Sequence, residues 1–207
     1  MHRRHGRLAL AEGYYRKNVA WCGEHLGPDD RNTLSSLNNL AMLLEERGAL
    51  DEAEPLYRRD LEASERTLGP EHPDTLISLN NLAILLWQRG ALDEAEPLYR
   101  RALEAYERTL GPEHPDTLQS LNNLGALREE QGRLAEAEAL YARAVAGVQK
   151  LLLPEHPHRQ AYEQNLAQVR AALGNGGGGG GWVAERWLKD RGATDGVPPF
   201  GKKHARL

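Results

Sequence analysis

The 207-residue chain is poor in the residues that mark stapled, membrane-spanning or catalytic proteins. It has one cysteine, Cys22, so no internal disulfide can form and a reducing compartment is the natural setting. It has one phenylalanine and no run of 18 apolar residues, so no helical membrane span is expected. The opening MHRRHGRLALAEG lacks the apolar stretch of a signal peptide. A formal charge of −4 gives no electrostatic reason to expect nucleic acid or an anionic membrane as partner. These absences describe a soluble, cytoplasmic chain.

Chemistry is sparse as well. No Ser/His/Asp constellation can be argued, and Cys22 reads as a small packing residue because no neighbouring base is identifiable. His72, His114 and His156 recur beside prolines at intervals of 42 residues, so they belong to separate units. Turn or helix-capping roles suit them better than a metal site. No cofactor or metal is expected, and the chain reads as a non-enzyme.

What is present is a period. LGPDDRNTL begins at Leu26, LGPEHPDTL at Leu68 and again at Leu110, and a degenerate copy, LLPEHPHRQ, begins at Leu152. Each start is 42 residues after the last. A fixed period of this length marks a stacked architecture in which each unit buries its apolar face against its neighbours.

The middle copy shows how a unit is built. Gly69 and Pro70 break one helix, and Pro73 and Asp74 open the next, proline suiting the first turn and the carboxylate the positive end of the helix dipole. Leu79, Leu82, Ala83 and Leu86 form an i, i+3, i+4, i+7 stripe over Asp74 to Arg89. Gly90 ends that helix as a left-handed cap. A second helix from about Asp93 to Leu110 is expected to bury Ala95, Tyr99, Ala102, Leu103 and Leu110. Glu96 and Arg100 form an i, i+4 pair on its solvated face. The unit is an antiparallel helical hairpin. Asp60 and Arg128 interrupt otherwise apolar positions and are expected to loosen packing locally.

At LNNLAxLLxxxGxLDEAEPLYRRAL the chain resembles tetratricopeptide repeats of the 42-residue, kinesin light chain-like kind, carried by Leu82, Ala83, Ala95, Tyr99 and Ala102, the LGPEHPDTL linker and the paired asparagines. The resemblance implies an all-α fold, an α-solenoid of antiparallel helical hairpins wound into a right-handed superhelix, with first helices lining a concave peptide-binding groove. Residues 1–25 then read as an incomplete repeat with only a second helix, and residues 26–173 as the array. A first helix without a following second helix closes the array, so the chain reads as an interior slice or as an array that pairs end to end with another copy. Residues 174–181 form a glycine-rich linker, and 182–207 a basic, tryptophan-containing tail expected to be disordered.

The groove candidates lie on the first helices, opposite the core stripe: Asn38, Asn39 and Met42, then Ile77, Asn80, Asn81, Ile84 and Trp87, then Asn122 and Asn123. A carboxamide donates and accepts, so paired asparagines can hold an extended peptide by its backbone. Two readings stand for Ile77, Ile84 and Trp87: packing against the adjoining hairpin, or an exposed anchor site. Glu45, Glu46, Glu129 and Glu130 share that side and no Lys or Arg does, so a basic or neutral peptide with an apolar anchor is favoured. The expected function is a non-catalytic scaffold for protein or peptide partners. The alternatives are a kinesin light chain-like cargo adaptor, with kinesin heavy chain as the partner the resemblance implies, and a regulatory repeat segment of a larger signalling protein.

Overall fold

A computed structural model describes residues 2–174, with side chains described from Leu10 onward. The tail and all of the linker beyond Gly174 lie outside the described residues. The order is α1 (His2–His25), α2 (Arg31–Glu46), α3 (Leu50–Thr67), α4 (Pro73–Gln88), α5 (Leu92–Leu110), α6 (Pro115–Glu130), α7 (Leu134–Leu151) and α8 (Pro157–Gly174), with no strand among the described residues. The all-α hairpin array is therefore as expected, with helix limits within a residue or two of those read from the period, but Leu110, expected to be buried, is 38% exposed because it is the last residue of α5.

Local chemistry sets these limits. α2 opens on Asp30, whose carboxylate accepts from Asn32 N at 2.8 Å. In the later copies histidine takes over: His72, His114 and His156 each accept through Nδ1 from the backbone N–H two residues on, at 3.2 Å. That satisfies one of the N–H groups a helix start leaves orphaned. α4 ends in a Schellman arrangement in which Ala91 N reaches back to Leu86 O at 2.9 Å. Gly90 sits there at φ 76°, a left-handed conformation that other residues adopt only at a cost. The chain reverses sharply there.

The chain divides into two compact units, residues 1–98 and 99–207, with α5 crossing the division. In the first, α1, α2, α3 and α4 pack consecutively. Leu34, Leu37 and Ala63 form a buried cluster flanked by Val19 and Leu56. Each leucine so buried contributes roughly 1.5–3 kcal/mol against exposure. Tyr57 is fully enclosed and donates its hydroxyl to Glu45 Oε2 at 2.8 Å. Along the outer side, Arg16 pairs with Glu12 and Glu52, and Arg58 with Glu54 and Glu94. The Arg16–Glu52 and Arg58–Glu94 pairs join successive second helices and the other two lie within one helix, though exposed ion pairs contribute only tenths of a kcal/mol each.

In the second unit α6, α7 and α8 pack consecutively. Gly125 stands where α2 and α4 have Ala41 and Ala83, and a Cβ there would come within 2.8 Å of the Tyr141 ring. Gly147 is pressed by Leu118, whose side chain occupies the space a Cβ would need. The two interrupting residues are enclosed with partners. Asp60 takes Ser78 Oγ at 2.6 Å, and Arg128 reaches Gln131 at 2.8 Å and Glu136 at 3.3 Å. A buried charge is tolerated when it is hydrogen-bonded or paired.

Candidate functional site

The first helices present their available residues unevenly. On α2, Ser35, Asn39, Met42 and Glu46 are exposed along one side. On α4, the only exposed member of the corresponding row is Ile77. Met42 and Ile77 are 39% and 48% exposed, and they are the large apolar side chains this face offers. Ile84 and Trp87 are buried, unlike Ile77. A helix wheel drawn for one hairpin places them away from their own partner helix, but first helices also pack against first helices.

The α2–α4 seam shows how. Asn81 Nδ2 donates to Asn38 Oδ1 at 2.9 Å, and one helical stretch further Gln88 Nε2 donates to Glu45 Oε1 at 2.7 Å. Both rungs join residues 43 apart. The second unit repeats the first rung, with Asn165 Nδ2 donating to Asn122 Oδ1 at 3.0 Å. Asn165 was not among the expected residues, although it lies one period after Asn123. The asparagines thus fall into groups. Asn38, Asn81 and Asn122 are tied into rungs, and Asn123 is buried. Asn39 is exposed. Asn80 is half-buried, and its Oδ1 has no hydrogen-bond partner among the described residues. Asn38 Nδ2 meets only a thioether, Met42 Sδ, at 3.7 Å. A weak acceptor of that kind leaves the donor available to something better.

The acidic residues are similarly divided. Glu45 accepts from Tyr57 and Gln88, and the buried Glu129 accepts from Tyr141 Oη at 3.0 Å. Glu46 is exposed and Glu130 half-buried. Burial pushes the Asp60 carboxyl up to about 6, opposed by the Ser78 hydrogen bond and aided by the nearby Asp74 charge. Cys22 is buried, with Asn18 and Ser36 each 3.8 Å from its sulfur, an amide and a hydroxyl that supply no base. Among the described residues, no group of three or more His, Cys, Asp or Glu is placed to hold a metal ion, and no helix is long and apolar enough to cross a membrane.

Helical hairpins joined at a 42-residue period, with first helices laddered to first helices, define an α-helical repeat array. Family-model matches identify which kind: residues 1–65, 39–108 and 86–150 each match the tetratricopeptide repeat. The chain belongs to the tetratricopeptide-repeat family. Its solved structural neighbours are kinesin light chain-like repeat proteins. BtubC (BKLC) from P. vanneervenii is similar with a TM-score of 0.75 and 26% identity, covering 99% of this chain and 81% of that one. A putative kinesin light chain of nearly identical repeats from Podosopora anserina gives 0.73 and 27%, covering 94% and 91%. A single-substitution variant of the latter gives 0.74 and 28%, covering 93% and 89%. No curated protein sequence matches the chain significantly. Tetratricopeptide repeats are in general scaffolds for protein–protein interaction, and no enzymatic family is indicated.

Proposed function

We propose that the chain is a non-catalytic scaffold that binds an extended peptide segment of a partner protein along the α2–α4 face. The carrying observation is the exposure of Met42 and Ile77 beside Asn38, Asn39 and Asn80, whose carboxamides are not all engaged. Met42 and Ile77 supply the apolar contact, and the carboxamides pair with peptide backbone whatever its sequence. Glu46 is exposed along α2, and no Lys or Arg lies at the face positions. Acidic peptides are therefore disfavoured, and a basic or neutral segment with one apolar side chain is the favoured ligand.

Fluorescence anisotropy with labelled peptides of matched length tests this. Basic or neutral peptides carrying a leucine or methionine anchor should bind, and Met42→Glu or Ile77→Glu should weaken them at least tenfold. Tight binding of tryptophan-acidic peptides at physiological salt, unaffected by these substitutions, overturns the proposal. A second reading, a kinesin light chain-like cargo adaptor, is favoured by two neighbours described as a putative kinesin light chain. Co-sedimentation with a kinesin heavy chain supports it, and absence of co-sedimentation removes it.

A further inference from the structure

The period sets Met42 in register with Ile84 and Ala126, both of them buried. Met42 alone of the three is exposed, at 39%. It is also one of two methionines in the chain, Met1 being the other. A thioether can do what isoleucine and alanine cannot. It takes up an oxygen atom under mild oxidation and changes from an apolar group into a polar one.

The surroundings of Met42 are arranged to hold that oxygen. Asn38 lies one turn earlier on α2, and its Nδ2 points at Met42 Sδ from 3.7 Å. The direction of this amide is fixed from its other end. Asn38 Oδ1 accepts from Asn81 Nδ2 at 2.9 Å, so the rung to α4 keeps the carbonyl turned to Asn81 and leaves the amide nitrogen turned to the sulfur. Divalent sulfur accepts only weakly, whereas a sulfoxide oxygen carries a substantial negative charge. Rotation about the Cγ–Sδ bond of this flexible side chain brings the oxygen to Nδ2 by a torsion alone. The chain's other internal sulfur is shielded. Cys22 is 5% exposed and lacks the neighbouring base that activates a thiol, so an oxidant in solution meets Met42 first.

We propose that Met42 is a reversible oxidation site whose sulfoxide is captured by Asn38 and closes the α2–α4 face to apolar-anchored peptides; the closing effect rests on the reading of that face as a peptide site. The oxidant is a hydroperoxide. A lone pair of Met42 Sδ attacks its terminal oxygen, and the S–O bond forms as the O–O bond breaks. The departing alkoxide, or hydroxide from hydrogen peroxide, takes the proton from the transferred oxygen. Sulfur gives up two electrons and the peroxide accepts them, leaving methionine sulfoxide and an alcohol or water. Two properties of the face then change together. The apolar contact offered by Met42 becomes polar, and Asn38 Nδ2, the donor otherwise available to a peptide backbone, is taken by the sulfoxide oxygen. A methionine sulfoxide reductase restores both.

Treatment of the full chain and of its Met42→Leu variant with dilute hydrogen peroxide tests this, read by peptide mass mapping, fluorescence anisotropy and NMR. The full chain should gain one more oxygen than the variant, mapped to Met42, while Cys22 remains a thiol. Its affinity for a basic, leucine-anchored peptide should fall at least tenfold on oxidation and return after treatment with methionine sulfoxide reductase. The affinity of Met42→Leu, whatever its starting value, should not respond to peroxide. The Asn38 side-chain amide gives a readout free of any ligand: one of its two proton signals should move downfield as Met42 is oxidised and stay in place in Met42→Leu. If the untreated chain binds no such peptide, the peptide reading of the face fails, and the amide signal still decides whether Asn38 captures the sulfoxide. Oxidation of Cys22 ahead of Met42, an Asn38 amide unmoved by sulfoxide formation, an oxidised chain that binds peptide as before, or a loss the reductase does not reverse overturns the proposal.

Discussion

Ser78 Oγ donates a 2.6 Å hydrogen bond to the buried Asp60 carboxylate, and the same pair of positions is filled differently in each repeat. One unit earlier Asn18 Nδ2 donates to Ser36 Oγ at 2.9 Å. One unit later Ala102 replaces the partner, and Ser120 Oγ is buried without a hydrogen bond among the described residues. The last unit has Ala144 and the buried Tyr162. A site that accepts an amide or nothing at all has no structural need for a charge.

Asp60 therefore makes stability fall as pH rises. Its folded-state pKa is about 6, above the ordinary carboxylate value, so between pH 4 and 6 the folded state keeps a proton that the unfolded state has released. The loss starts near pH 4 and is complete above pH 6. Asp60→Asn keeps the hydrogen bond and removes the charge. It should stabilise the protein by about 1–3 kcal/mol at pH 7.5 and by little at pH 4, read as the difference between urea unfolding curves.

His72 caps α4 by accepting through Nδ1 from Asp74 N. His72→Ala should cost about 0.5–2 kcal/mol, while His72→Asp, the residue type that caps α2 at Asp30, should hold or raise stability. Thermal unfolding of the two variants distinguishes capping from a mere turn preference.

The tyrosine–glutamate bonds should differ in strength between units. Tyr141→Phe removes a hydroxyl donor from the buried Glu129 and should cost about 1–3 kcal/mol. Tyr57→Phe removes the same bond from a Glu45 that is only half-buried, and should cost less. Chemical denaturation of the pair orders them.

Trp87 is interior, so Trp87→Ala should destabilise by about 3–5 kcal/mol through cavity formation. Near-normal stability with lost peptide binding would instead mark it as a surface anchor.

Much of this was legible from the period. The hairpins, the glycine cap at Gly90, the histidine caps and the packing role of Cys22 all follow from local rules that one repeat contains. The α2–α4 face was legible only in part. A wheel for one hairpin sets Asn81, Ile84 and Trp87 on the side away from the core stripe. It has no term for the next first helix, which binds Asn81 to Asn38 and leaves Ile77 and Met42 as the exposed apolar pair.

The α2–α4 face is where a peptide ligand should bind, and the chain is suited to reading that directly. Its two isoleucines are Ile77 and Ile84, one exposed and one buried, and Met42 is one of two methionines. In methyl-labelled NMR, titration with a basic, leucine-anchored peptide should shift the Ile77 and Met42 signals strongly and Ile84 weakly. Unmoved Ile77 and Met42 signals at saturating peptide, or movement only with acidic peptides, would contradict it.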